Sequence, residues 1–289
     1  EKCFFESENL KEIEFTANVI NLGPNCFSGS KKLQKVILHG KNITIENNCF
    51  AKCNSLKTFI ISNLENKIIP ERINLEDQCF FNSKIEEIEI SSNEIYFYRN
   101  CFSGSGKLRN ISLHGKIIVI SEECFTECHS LKSFMISDSI EKIYFGDQCF
   151  SSLKNLEKVE IKATEIGFNK GCFSNSTNLK KVVLHCKNIS IDKNCFSKCK
   201  KFETLQIKGL ESDSIADEIN LIDECFLDLN GIKEIELKAN KIKVGDNCFT
   251  NAEKLQKVLI DGITVDVKNN CFNNCTSLKS FTVNVSLSI

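Results

Sequence analysis

Apolar residues fall in short alternating runs that come in pairs, with polar corners between them. After Cys26, a small polar turn leads to Leu33-x-x-Val36-x-Leu38, which ends in apolar–polar alternation. That period of two predicts a short strand with one buried face. Past a corner, Ile43-x-Ile45 predicts a second short strand, and Glu46-Asn47-Asn48 leads to Cys49. The piece between Cys26 and Leu33 is too short for an independent helix, and a single helical turn or 3₁₀ piece is expected there.

This unit repeats along the whole chain. Cys-Phe occurs twelve times, beginning at Cys3, Cys26, Cys49, Cys79, Cys101, Cys124, Cys149, Cys172, Cys195, Cys225, Cys248 and Cys271, at intervals of 22 to 30 residues. A period in the twenties marks a solenoid, because one unit cannot bury its apolar face without copies of itself on either side. Coils about 4.8 Å apart would set twelve phenylalanines in an internal column. Three kinds of unit rotate in strict order. The kinds start at Cys26, at Cys49 (with a second cysteine, Cys53) and at Cys79, and each returns every third unit. The rotation predicts one continuous solenoid over 1–289, nearly two copies of a six-coil block (1–146 and 147–289), with no evident capping repeats.

Cys49-Phe50-x-x-Cys53-x-x-Leu56-x-x-Phe59-x-Ile61 and Cys124-Phe125-x-x-Cys128-x-x-Leu131-x-x-Phe134-x-Ile136 carry a resemblance. This order resembles the BspA-type leucine-rich repeat, whose unit runs Ala-Phe-x-x-Cys-x-x-Leu and then into strand residues. The resemblance covers essentially the whole chain. It implies a leucine-rich repeat solenoid of the α/β class, with short parallel strands and single helical turns in about twelve coils. It also implies a cell-surface or secreted protein. The chain departs from the family in placing Cys where the family has Ala before Phe, a small-for-small exchange, and in lacking a Pro after the first strand.

Seventeen cysteines raise the question of disulfides or metal. Equivalent cysteines in adjacent coils would have parallel Cα–Cβ vectors, a poor arrangement for a disulfide. Four residues after each anchor stand Ser, Ala, Leu or Cys, as at Ser30, Cys53, Leu153 and Ala252. That position is read as selecting for size, and the thiols as small buried hydrophobes. No Cys-x-x-Cys pair occurs, so zinc-ribbon spacing is absent. Cys186 sits at a strand corner where other units have Gly40 and Gly115, and it is the candidate exposed thiol.

His39, His114 and His185 share one column, but they recur every third coil, about 14–15 Å apart, too far to share a metal. His129 follows Cys128 in a turn. No phosphate loop, His-Glu-x-x-His or catalytic triad pattern occurs, so neither enzymatic activity nor a cofactor or metal is expected. The outward position of the first strands is the candidate binding face. It reads Glu14, Ile37, Ile60, Glu89, Met135, Glu160, Val183, Glu236 and Leu259, a concave face striped apolar and acidic for a protein or glycan partner. Two insertions, near Ser62–Arg72 and Lys208–Glu218, are further candidates.

Six Asn-x-Ser/Thr sequons, at Asn42, Asn110, Asn175, Asn188, Asn274 and Asn284, are possible N-glycosylation sites in a secreted protein. Apolar residues make up 42% and charged residues 26%, ordinary for a folded soluble chain. The net charge of −1, with no basic stripe standing out, argues against nucleic acid as partner. No apolar run is long enough to insert in a membrane. The chain opens at Glu1 without an initiator Met and is read as a mature piece or segment. Its last unit is of the second kind and its first of the third. Copies joined end to end would therefore keep the rotation, and head-to-tail self-association into a filament is the alternative to a surface recognition module.

Overall fold

The computed structural model describes residues 2–62 and 69–285, which form two compact units, Glu1–Leu131 and Lys132–Ile289. Each unit is a parallel β-solenoid, and together they have about twelve coils. In the first unit, the leading strands of successive coils are β1 (Glu12–Thr16), β3 (Lys35–His39), β5 (Thr58–Ile61), β7 (Glu87–Ser91) and β9 (Asn110–His114). They pair in that order as one parallel sheet. The second strands, β2 (Val19–Leu22), β4 (Asn42–Ile45), β6 (Arg72–Leu75), β8 (Glu94–Phe97) and β10 (Ile117–Ile120), pair the same way across the core.

The second unit contains β11 (Ser133–Phe145), β12 (Lys158–Phe168), β13 (Lys181–His185), β14 (Asn188–Ile191), β15 (Thr204–Lys208), β16 (Ala216–Leu221), β17 (Glu234–Val244), β18 (Lys257–Val267) and β19 (Ser280–Val285). Here β11, β12, β17 and β18 run through the corner without a break. β12 pairs with β13 by its first half and with β14 by its second. Apart from one register shift of β11 against β12 between Ile136 and Ile140, registry is kept, so like residues meet: Ile13, Val36 and Phe59 align, as do Val159, Val182 and Leu205.

The Cys-Phe turns differ from expectation. No helix occurs among the described residues. Each turn is instead bracketed by residues in the left-handed region, one just before the Cys and one three after it. Asn25 (φ 56°) and Gly29 (φ 72°) flank one turn, and Asn194 (φ 57°) and Lys198 (φ 60°) flank another. Left-handed residues break a helical run. Between them the amides alternate in direction. Cys26, Ser28 and Ser30 bond three residues back within their coil, to Gly23, Asn25 and Phe27. Asn25, Phe27 and Gly29 bond across to Asn47, Cys49 and Ala51 of the next coil. A helix would turn every amide inward and leave nothing for the neighbouring coil.

That cross-coil spacing stacks the phenylalanines. Phe27 and Phe50 lie 5.3 Å apart between centroids with planes 3° from parallel. Phe150 and Phe173 lie 5.2 Å and 1° apart, and Phe173 and Phe196 5.0 Å and 7° apart. All five of these rings are at most 1% exposed. The anchor cysteines beside them are buried as well, and Cys225 and Cys248 bring their Sγ atoms to 3.0 Å.

The position four after each anchor is more than a small plug. In several coils a Ser or Cys there donates to the Phe carbonyl of the preceding coil: Ser105 to Phe80 at 2.9 Å, Cys128 to Phe102 at 3.3 Å, Ser176 to Phe150 at 2.9 Å and Cys199 to Phe173 at 3.2 Å. Serine and cysteine interchange because each is a small donor.

Two stability changes follow from this packing, both read as denaturant midpoints. Phe173→Ala should cost about 3–5 kcal/mol, since its ring is stacked on both faces. Ser176→Ala should cost about 1–3 kcal/mol by removing the Oγ that donates to Phe150 O and accepts from Leu153 N–H, and Ser176→Cys should cost less.

Candidate functional site

Strand registry decides where the predicted face residues stand. In the first unit Glu14, Ile37, Ile60, Glu89 and Ser112 pair in one row across the leading strands. In the second, Met135, Glu160, Val183 and Gln206 form such a row, and Glu236, Leu259 and Thr282 form another, Glu236 pairing with Leu259 and Leu259 with Thr282. Glu14, Glu89, Met135 and Glu236 are exposed, and Ile37, Ile60, Glu160 and Leu259 half-buried. Val183 departs from the expected exposed stripe. It is buried (6% exposed), set in register between the longer side chains of Glu160 and Gln206.

In the second unit the face carries a groove, and the row that holds His185 forms its foot. Lys162, His185 and Lys208 stand in register two residues beyond the Glu160 row. Lys238 occupies the same place in the next coil, its Nζ 2.6 Å from Glu236 Oε1. Behind this row rises the loop after Lys208, where Leu210, Glu211, Asp213 and Ile215 line a groove of about 690 Å³ together with Glu160, Gln206 and Glu236. The loop is closed by Gly209 N–H donating to Ser214 O at 3.0 Å and by Ser214 Oγ–H donating to Glu211 O at 2.9 Å. A Cβ on Gly209 would sit 2.0 Å from Ser214 Oγ, so a larger residue there would open the loop. Asp217 and Glu218, assigned from sequence to this insertion, lie in β16, where Glu218 pairs with Lys241 at 3.1 Å.

Charges in the groove alternate by row. Lys158 Nζ, 2.6 Å from Glu160, holds that carboxyl below its usual range, and His185 and Lys181 add to the effect. Such a surface offers acceptors and donors in parallel lines, with Ile215 (47% exposed) and Met135 (46%) as apolar points. The first insertion supplies no comparable wall for description, because residues 63–68 lie outside the described part. From its end, Pro70 O accepts Ser92 Oγ at 3.0 Å, and Arg72 lies 4.4 Å over the Tyr96 ring.

The exposed-thiol expectation for Cys186 is overturned. Its corner column turns inward and takes small residues: Gly40, Ser92, Ala163, Cys186, Gly209, Ala239 and Gly262 are buried, and Gly115 is half-buried. A Cβ added to Gly115 would lie 2.7 Å from Ser92 O, and one on Gly262 2.7 Å from Ala239 O. Cys186 is 0% exposed, and burial pushes its thiol up to about 12 from an ordinary 9.0. Cys3 is the exposed cysteine and Cys275 is half-buried; both belong to terminal coils.

The histidines sit apart. His39 and His114 lie on β3 and β9, with β5 and β7 between them. His39 Nε2 is 3.7 Å from Glu14 Oε1, and His114 Nε2 is 2.9 Å from Ser112 Oγ. Among the described residues no group of three or more His, Cys, Asp or Glu is placed to hold a metal ion. No helix among them is long and apolar enough to cross a membrane. Of the sequons, Asn110 Nδ2 donates to Glu87 at 2.9 Å and Asn274 Nδ2 to Asn251 at 3.0 Å. Asn175 stands exposed at a left-handed turn position, Asn188 and Asn284 are exposed on β14 and β19, and Asn42 is half-buried on β4.

The sequence profile of the BspA type leucine rich repeat region matches in six copies over residues 1–72, 73–203 and 204–289. The chain belongs to the BspA-type leucine-rich repeat family. No curated protein matches it significantly. Among solved structures it is similar to a leucine rich cell surface protein from Faecalibacterium prausnitzii (17% identity, 98% of this chain and 89% of that one, TM-score 0.44). It is also similar to the pneumococcal vaccine antigen PcpA (17%, 95% and 78%, TM-score 0.43) and to a leucine-rich repeat protein from Bacteroides ovatus (19%, 90% and 80%, TM-score 0.33). The family assignment rests on the profile match over the whole chain.

The buried thiols predict both reactivity and an alkaline limit. A thiol reagent should modify Cys3 at once, Cys275 slowly, and Cys186 only after unfolding, as read by mass spectrometry. Burial raises Cys53 and Cys186 to about 12 and Cys271 to about 11, above the ordinary 9.0. The native state thus keeps protons that the unfolded chain releases. That stability is intact below pH 9.0 and drains away as pH rises toward 11 to 12. Denaturation midpoints should fall across this window, and less steeply for Cys186→Ala.

Proposed function

We propose that the chain is a recognition or adhesion module of a cell-surface or secreted protein, and that it takes a protein partner on the leading-strand face of its second unit. The function is non-catalytic. The groove between that face and the Lys208–Ser214 loop carries this reading, because it joins ordered rows of charge to exposed apolar points beside a structured wall. Loops on rigid scaffolds are where binding residues concentrate. Membership of the BspA-type family, whose solved relatives include a cell surface protein and a vaccine antigen, supports placement outside the cell.

A second reading is filament assembly, in which copies joined head to tail keep the rotation of the three kinds of unit. Phe281, Val283 and Val285 of β19 would then pack on the next copy. A coil of the third kind from a second copy, which in this chain bears the exposed Phe4 and Phe5, would extend the ring stack.

A photo-crosslinker placed at Gln206 should capture an extracellular partner that the same group at Lys243, on the opposite sheet, does not. Glu160→Lys with Glu236→Lys should abolish that capture, whereas equal capture from both positions, or none from Gln206, would remove the groove from consideration. Sedimentation velocity tests the second reading, which requires concentration-dependent assembly that Phe281→Asp prevents.

A further inference from the structure

The chain-wide charge of −1 (37 Lys and Arg against 38 Asp and Glu) conceals a local imbalance, which corrects the impression that no basic block stands out. Residues 154–208 hold twelve lysines against five acidic residues, a net of +7. The fold gathers seven of these lysines at one corner, where the turns of three successive coils enter their leading strands. This is the opposite end of the strands from the groove.

Backbone bonds fix that gathering. Lys180 and Lys181 N–H both donate to Glu157 O, at 3.0 and 3.2 Å, and Glu203 and Thr204 N–H both donate to Lys180 O, at 2.9 and 3.0 Å. Lys158 lies in register with Lys181. Lys158 is tied to Glu160 and Lys180 to Glu157. Lys154, Lys181, Lys198, Lys200 and Lys201 are exposed and have no carboxylate within 4.0 Å among the described residues. Like charges facing across neighbouring strands are unfavourable unless something neutralises them.

We infer that this lysine corner binds a sulfated polysaccharide. The chemistry of the corner narrows the choice among polyanions. The stretch has no Tyr or Trp, and Phe168, Phe173, Phe196 and Phe202 are buried, so nothing there offers a face on which a nucleobase could stack. None of the exposed large apolar side chains falls within 154–208, so an acidic protein would find no apolar anchor. The chain's three arginines, Arg72, Arg99 and Arg109, all lie in the first unit, so bidentate forks are absent from the corner too. What is left is a set of point charges at about 4.8 Å coil spacing, suited to a flexible chain with dense, repeated anionic groups.

The test uses the full chain and immobilised heparin as probe, with affinity measured by surface plasmon resonance from about 50 mM salt upward. Heparin should bind and should weaken steeply as salt rises. Lys154→Ser, Lys181→Ser, Lys200→Ser and Lys201→Ser combined should weaken binding by about tenfold or more. The same charge removed from the opposite sheet (Lys41, Lys116, Lys142 and Lys241, each →Ser) should leave it within about twofold. Equal loss in both variants would mean net charge alone is sensed and would overturn the site, as would no heparin binding at low salt. Tighter binding of poly-glutamate or of single-stranded DNA than of heparin would overturn the ligand class. All these lysines carry solvated heads, so unchanged thermal melts should accompany the affinity change. The outcome is independent of crosslinking at Gln206, which reads the groove at the other strand end.

Discussion

The fold depends on one alternation: at each Cys-Phe turn, successive amides bond first within the coil and then to the coil beyond. A turn built this way satisfies its own backbone and holds its neighbour at strand spacing in the same few residues. Two left-handed residues per turn make it possible, and they are the cost, about 1–2 kcal/mol each where the residue is not glycine or asparagine. The enrichment of Asn at these places, as in Asn25, Asn48, Asn100 and Asn247, fits that cost. So does Gly at 29, 104 and 171. The ring stack follows from the turn rather than producing it, because rings at fixed offsets on coils of fixed pitch must meet face to face.

The same pitch explains why cysteine is so common without cysteine chemistry. The column beside the rings has room for a small side chain. A thiol fills it with modest loss on desolvation, whereas an ionised thiolate there is strongly opposed, as the burial that raises Cys101 and Cys172 well above the ordinary thiol range shows. The column four residues on is different in kind. It faces a Phe carbonyl that already accepts one backbone N–H, from Ser83 at Phe80 and from Ser176 at Phe173, and Ser and Cys act there as second donors. Where Leu153 or Ala252 takes that place, no side-chain donor is available.

Periodicity was enough to read the coils, the parallel strands and the registry of the Glu14 and Glu160 rows, since each follows from spacing alone. It was not enough for the turn, because φ is a property of single residues that hydrophobic patterning does not report; the Asn and Gly before and after Cys-Phe were the available sign. Cys186 was misread because replacing Gly40 and Gly115 looked like freedom, when it marked a corner with room for only one small inward side chain. Val183 was misread because an alternating strand position says which way a side chain points, not how far Glu160 and Gln206 lean over it. The groove wall was visible only as extra length after Lys208; the serine bonds that shape it depend on the folded loop.

Recognition in such a scaffold is written in columns. A substitution at one strand position places its side chain beside the same position of the coils on either side, so charge accumulates by row even when the chain as a whole is balanced. In the second unit this gives two different surfaces on the same strands. At the far end, the Lys162–His185–Lys208 row is hemmed by carboxylates on both sides, Glu160 and Glu236 before it and Glu211 and Asp213 after it. That arrangement rewards a partner with matching geometry, since a diffuse charge would be attracted and repelled together. At the near end, Lys154, Lys181 and Lys201 have no carboxylate within 4.0 Å among the described residues, and Lys200 shares a hollow with Asp228 and Glu253 without pairing to either, so attraction there is long-ranged and tolerant of the partner's shape. A surface protein with both would gather a charged matrix at one corner while discriminating at the other, without altering a single core residue of the stack.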